Sequence, residues 1–248
     1  MDMFINNNKN AIPISVLGKN DLKNFSKDNL TQNNWIEQNN FSAKPGEILL
    51  VPDYNGKIES VLIGENTRDN PYSKLFAYKL SQSLPINNYY FSNINTTDHL
   101  PYISWAMGGY GYNKIQNNQP KLYLPDEIKD EVENTVKSIY FTMDLINHPA
   151  NILNTDYFAE LIKKYFADKE CKIREIKGQD LLKNNLPLIY EVGKASEYEP
   201  RLIDIEWGNK SKPKITLIGK GVTFDTGGLD IKPSSGMLLM KKDMGGAA

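Results

Sequence analysis

Side chains able to do acid–base or metal chemistry crowd one glycine-rich stretch near the C-terminal end of the chain. It reads Leu217-Ile218-Gly219-Lys220-Gly221-Val222-Thr223-Phe224-Asp225-Thr226-Gly227-Gly228-Leu229-Asp230-Ile231-Lys232-Pro233, then Ser234 through Met240, then Lys241-Lys242-Asp243-Met244-Gly245-Gly246-Ala247-Ala248. Glycine lets a backbone approach a ligand closely or take a positive φ. Carboxylates at the C-terminal edge of a sheet lie where an α/β fold builds its site. The lysines and aspartates of this stretch therefore suggest an anionic or metal-binding pocket. The competing reading of the same residues is solvated surface lysines and turn aspartates. A P-loop is excluded, because Gly219-Lys220-Gly221 has neither its spacing nor its following Ser or Thr.

Other reactive residues offer less. His99 and His148 are the only histidines, too few for a His-rich metal site, and His148 reads as a packing residue. Cys171 is the single cysteine, so no intramolecular disulfide can form, which fits a reducing compartment. It sits in a strand-like run and reads as a buried thiol. Ser234 and Ser235 follow Pro233 in a loop, and no G-x-S-x-G elbow surrounds them. Trp105, Tyr110 and Tyr112, in and beside the glycine-rich Ser104–Gly111, could stack on a base or sugar but read first as a packing loop.

The 248 residues carry 29 Lys+Arg against 30 Asp+Glu, a formal net charge of −1. That balance excludes a protein whose main partner is a polyanion such as nucleic acid. With 40 % hydrophobic and 24 % charged residues, whole-chain disorder is excluded as well. No run approaches the roughly 18–20 apolar residues of a membrane span. The N-terminus MDMFINNNKN lacks the basic and apolar regions of a signal peptide. The expectation is a soluble cytoplasmic protein without a membrane partner.

The elements that would position the site alternate between strand and helix, which predicts an α/β layer. Ile12–Leu17 reads as a strand. Glu47–Val51 and Lys57–Ile63 flank Asp53-Tyr54-Asn55-Gly56, a hairpin turn in which Asn-Gly supplies positive φ. Tyr72–Leu84 has helical spacing, Tyr89–Phe91 and Lys121–Leu124 read as strands, and Asp126–Asn147 is the clearest helix. Its apolar Ile128, Val132, Val136, Ile139, Met143 and Ile146 recur at three and four. A second α/β pattern follows, with helices at Thr155–Ala167 and Gln179–Asn184 and strands at Cys171–Ile176, Leu202–Trp207 and Lys214–Ile218. The expected organisation is an N-terminal α/β domain over 1–125, a connector helix over 126–147, and a second domain over 148–248. The small residues that end the chain read as a strand-to-helix junction cut mid-fold.

The stretch GKGVTFDTGGLDIKP…GMLLMKKDMGGAA resembles the signature of the leucine (cytosol) aminopeptidase family, two-metal exopeptidases. Asn147-His148-Pro149-Ala150-Asn151 resembles the N-x-P-x-N segment that opens the family's catalytic domain, and Ser104–Tyr110 more weakly resembles part of its N-terminal domain. The resemblance implies a macro-like mixed-sheet N-terminal domain, then the start of a zinc-exopeptidase-like α/β/α catalytic domain. It also implies two divalent ions, zinc or manganese, a peptide substrate and a homo-oligomer, a hexamer in the family.

Carried over by position, Lys220, Asp225 and Asp243 match metal ligands, Asp225 bridging both ions. Lys232 matches the catalytic lysine, and Met240 a residue lining the pocket for the substrate's first side chain. The chemistry agrees, since hard divalent ions take carboxylate oxygens and one carboxylate can serve two ions. Lys220 could ligate only as the neutral amine, whereas Lys232 would keep its charge for an oxyanion. The family's N-T-D-A-E-G-R segment has no match. Asn154-Thr155-Asp156 continues differently and reads as a helix start capped by Thr155. The chain is thus expected to cover the first half of a family member and to be inactive alone. The alternatives are a non-catalytic binding or assembly module, or a macro-type nucleotide-binding protein.

Overall fold

The computed structural model describes residues 2–25, 30–65, 71–113 and 118–248. They form two compact units, one up to Tyr140 and one from Phe141 onward. In the first unit, β1 (Phe4–Ile5) and β2 (Ile12–Leu17) are followed by α1 (Lys19–Phe25) and α2 (Leu30–Gln38). Next come β3 (Ile48–Pro52), β4 (Ile58–Gly64), α3 (Ala77–Ser83), β5 (Asn88–Phe91), α4 (Leu100–Gly109) and β6 (Lys121–Tyr123). The strands join one sheet in the order β1-β6-β5-β2-β4-β3. Only the β3–β4 pairing is antiparallel, across the Asp53–Gly56 turn in which Gly56 takes φ +79°. The result is a mixed sheet, as the family resemblance implies, within the α/β layer that the alternating pattern predicts.

Both faces of that sheet are covered, which is why its central strands read as continuous apolar runs. On β4, Val61 and Ile63 enter a core with Ile14, Leu80, Tyr89, Trp105 and Leu122, while Leu62 turns to a second cluster with Leu17, Ile36 and Leu49. The Ser104–Gly111 stretch differs from its expectation as a loop. Leu100–Gly109 is α4, with Trp105 fully buried. Its glycine content reflects helix contact. A Cβ on Gly108 would lie 2.1 Å from the carbonyl oxygen of Tyr78 in α3, and Ser104 Oγ donates to the Leu75 carbonyl at 2.6 Å. Small residues spaced by four let the two backbones touch, so a packing demand imitated a loop signal.

The long amphipathic element is a 3-10 turn over Asp126–Ile128 leading into α5 (Lys129–Asn147). Ile128, Val132 and Val136 pack into the first core. Residue Leu145 belongs to a cluster of the second unit with Leu153, Phe158 and Met244. That unit continues with α6 (Thr155–Tyr165), β7 (Cys171–Lys177), α7 (Asp180–Lys183), α8 (Pro187–Gly193), β8 (Arg201–Trp207) and α9 (Ser234–Met237). Strands β7 and β8 pair antiparallel from Cys171 opposite Trp207 to Lys177 opposite Arg201. The α6 cap is Asn154, whose Oδ1 accepts from the Tyr157 N–H at 2.9 Å, rather than Thr155. Thr155 Oγ1 instead donates to the Glu199 carbonyl. The expected strand Lys214–Ile218 pairs with no other strand among the described residues. Its Ile215, Leu217 and Ile218 are 85 %, 92 % and 94 % exposed. A strand needs a neighbour for its backbone groups, and sequence alternation cannot supply one.

An ion-pair network ties α6 to both strands of the small sheet. Arg201 on β8, 8 % exposed, donates to Glu175 on β7 at 2.7 Å and to Asp156 in the first turn of α6. Lys163 of α6 also reaches Glu175, at 2.5 Å. The hydrogen bond from Lys163, with the charges of Lys163 and Arg201, holds the Glu175 carboxyl below its ordinary 4.5 against the opposing effect of burial. A carboxylate with a lowered folded pKa stabilises the fold above its unfolded value and loses that contribution as pH falls through the folded one. Glu175→Gln should therefore cost roughly 1.5–3 kcal/mol at neutral pH, the scale of a hydrogen bond to a charged group. The deficit should shrink as pH falls below about 4.5. Urea denaturation across that range measures it, and a deficit independent of pH would show that the carboxylate charge is not the stabilising element.

Candidate functional site

Lys220 and Asp243 meet through backbone contacts between segments distant in sequence. A Cβ at Gly219 would lie 2.2 Å from the Gly246 carbonyl oxygen, and one at Gly246 would lie 3.2 Å from the Lys220 nitrogen. Only glycine permits that approach, which aligns the run around Lys220 with the run that follows Asp243. Across it, Lys220 Nζ donates to Asp243 Oδ2 at 2.6 Å. The Asp243 segment is seated from below. Met244 is fully buried in the cluster with Leu145, Leu153 and Phe158, and Lys241 Nζ donates to the Asn147 carbonyl at the end of α5.

Asp225 opens a tight loop. Its Oδ1 accepts the Gly227 N–H at 2.8 Å, Gly227 and Gly228 take φ +91° and +69°, and the Lys232 N–H returns to the Thr226 carbonyl at 2.9 Å. The loop folds Lys232 back, so that its Nζ sits 3.2 Å from Asp225 Oδ2. The Asp225 carboxyl lies below the usual carboxylate range. The largest cause is the Gly227 N–H, then the Lys232 hydrogen bond, with the charges of Lys232 and Lys220 adding to them. The structure thus forms two lysine–aspartate pairs, Lys220 with Asp243 and Lys232 with Asp225.

Met240 stands half-buried in a short turn, Met240–Lys242, on the same segment as Asp243. The other reactive residues lie elsewhere. His148 Nδ1 lies 2.6 Å from the Asp144 carbonyl oxygen, and its ring packs by Tyr157. In the first unit, His99 Nδ1 is 3.3 Å from Glu131 Oε1. Cys171 is half-buried rather than buried, because it occupies the end of a two-stranded sheet, and its Sγ faces the Phe166 carbonyl. Sequence reasoning missed the supporting residues Lys241 and Met244. Their only signal was adjacency to Asp243, since neither type is diagnostic by itself.

Asp225 and Asp243 supply the oxygen donors a divalent cation takes, and Lys220 supplies a nitrogen. The donor set fits a metal in kind. It is short in number, because no three His, Cys, Asp or Glu gather into a metal-sized group among the described residues. Nor, among those residues, is any helix long and apolar enough to cross a membrane.

Two family models match the chain: the M17 aminopeptidase N-terminal domain over residues 12–125, and the cytosol aminopeptidase family catalytic domain over residues 140–248. Peptidase B of Pectobacterium atrosepticum is 39 % identical over 153 residues, which is 58 % of this chain and 35 % of that protein. A probable cytosol aminopeptidase of Chlamydia trachomatis is 41 % identical over 152 residues, 55 % of this chain and 30 % of the relative. The crystal structure of the cytosol aminopeptidase from Coxiella burnetii, 33 % identical, superposes with a TM-score of 0.87 over 100 % of this chain and 55 % of that one. The chain therefore spans about a third of the length of these curated relatives and about half of the solved structure. Both the mixed-sheet unit and the glycine-rich lysine–aspartate segment are matched, and the chain belongs to the cytosol aminopeptidase family.

Proposed function

We propose that the protein is a metal-dependent aminopeptidase that releases N-terminal residues from peptides. The observation that carries this reading is the pairing of Lys220 with Asp243 and of Lys232 with Asp225 within the matched catalytic segment. Asp225, Asp243 and Lys220 are the residues that would hold two divalent ions, zinc or manganese. Bound there, such ions supply Lewis acidity and a water of lowered pKa.

The chain's own residues do the rest. Lys232 rests on a loop pinned by glycines and carries three donors on a flexible stem, so it can turn from Asp225 toward a carbonyl oxygen and stabilise the charge that develops there. Asp225 holds that lysine within the loop until the ions are bound. Met240, on the Asp243 segment, lines the pocket for the substrate's first side chain, where its flexible thioether accommodates varied shapes. The names of the relatives support a cytoplasmic location. Assembly into a homo-oligomer, a hexamer, belongs to the same reading.

Two aspartates cannot hold two ions alone, because each needs more donors to offset its desolvation. The 248-residue chain assayed by itself is therefore expected to be inactive. The test compares this chain with the full-length protein on leucyl-anilide in added Zn²⁺ or Mn²⁺. Activity of the full-length protein, abolished by a chelator and absent from the chain alone, is the expected outcome. Chelator-insensitive hydrolysis would overturn the metal-dependent reading, and full turnover by the chain alone would show that its site is self-sufficient.

A further inference from the structure

We propose that Lys232 is a built-in counter-ion that occupies the charge position of a metal at Asp225 until the metal arrives. The inference rests on the metal-site reading above and goes beyond it, because it concerns how the site is loaded. Each aspartate assigned to metal binding already has its own lysine. Asp243 Oδ2 is 2.6 Å from Lys220 Nζ, and Asp225 Oδ2 is 3.2 Å from Lys232 Nζ. The Asp225–Lys232 pair is the one made within a single tight loop. Gly227, Gly228 and the Lys232 N–H···Thr226 carbonyl bond set its geometry, so folding that loop delivers the ammonium to the carboxylate. A Cβ at Gly227 would lie 3.1 Å from Lys232 Cγ and 2.3 Å from the Asp230 carbonyl oxygen, so the loop closes around the lysine stem.

The arrangement answers a physical difficulty. A carboxylate on a loop left without a cation has only its Gly227 hydrogen bond to fix it. A lysine placed as counter-ion keeps Asp225 in position with its second oxygen still bound by Gly227. A divalent ion then binds by exchange, displacing one ammonium from Asp225. The displaced Lys232, on its flexible stem, is then free to donate elsewhere. Loading and freeing of the lysine become one event. Because the side chains of the pair are 31 % and 36 % exposed, water can reach the ion pair and exchange need not unfold the loop.

Competition of this kind is read in metal affinity, without catalysis. Mn²⁺ alone is titrated into the metal-free full-length protein, and free Mn²⁺ is followed by its electron paramagnetic resonance signal. The wild type is compared with Lys232→Met, Lys232→Gln, Lys232→Arg and Asp225→Asn. Removal of the competing charge in the Met and Gln variants should tighten binding about three- to five-fold, the upper end for a partly exposed ion pair given up by the metal-free state. The Arg variant, which keeps the charge, should stay within about two-fold of wild type. Asp225→Asn should lose most of the affinity. Met and Gln variants that bind Mn²⁺ as wild type does, or more weakly, while Asp225→Asn is impaired, would overturn the counter-ion role and leave the site reading intact. Asp225→Asn binding like wild type would overturn the site reading, and this inference with it.

Discussion

Replacing Asp225 with alanine in the full-length protein should abolish metal-dependent hydrolysis of aminoacyl-anilides, with a loss of more than about 10³-fold. Partners outside the coordination sphere of a metal already cost 10–100-fold when removed, and a shared ligand must cost more. The substitution also strips Lys232 of the carboxylate that holds it 3.2 Å away, and it frees the Gly227 N–H that the Asp225 side chain now binds. Metal content measured beside activity separates the causes. Loss of both fits a ligand, whereas wild-type turnover at normal metal content would sink the assignment. Asp225→Asn, which keeps the shape and the Gly227 contact, should rescue loop order but not activity.

Lys232→Ala should behave in the opposite way on metal. It removes a competitor and a donor together, so metal content should stay at least at the wild-type level while kcat falls roughly 10²–10³-fold, the scale of one lost oxyanion donor. The split between those two readouts distinguishes a donor from a ligand. A variant that loses metal would place Lys232 in the coordination set or in the support of the loop. A Lys232→Arg variant sharpens the comparison, because it retains charge but not the compact ammonium and should recover only part of the turnover.

Much of the architecture follows from local signals. The strand Ile12–Leu17 has the bounds its apolar pattern predicts, because its last four residues are buried between parallel neighbours and leave a run that nothing nearby imitates. The β3–β4 hairpin is legible in Asn55-Gly56, where positive φ is required by the turn itself. The helix ending at Asn147 is legible in its three-and-four spacing, and the lysine–aspartate segment in its residue types and order. These features depend on neighbours within a turn or two.

The tertiary structure decided what depends on residues far apart. Whether Ser104–Gly111 was loop or helix turned on the carbonyl of Tyr78 lying against Gly108. Whether Lys214–Ile218 was a strand turned on a pairing neighbour, and none stands beside it among the described residues. Arg201 reads as an ordinary strand-start arginine until Asp156, 45 residues earlier, meets it. The sequence by itself marked out the glycine-rich lysine–aspartate segment and its family resemblance, since residue types and their order are written locally. Only the fold decided that Lys220 faces Asp243 across 23 residues, because that pairing exists through the contact of Gly219 with Gly246 and the seating of Met244, and no local period encodes either.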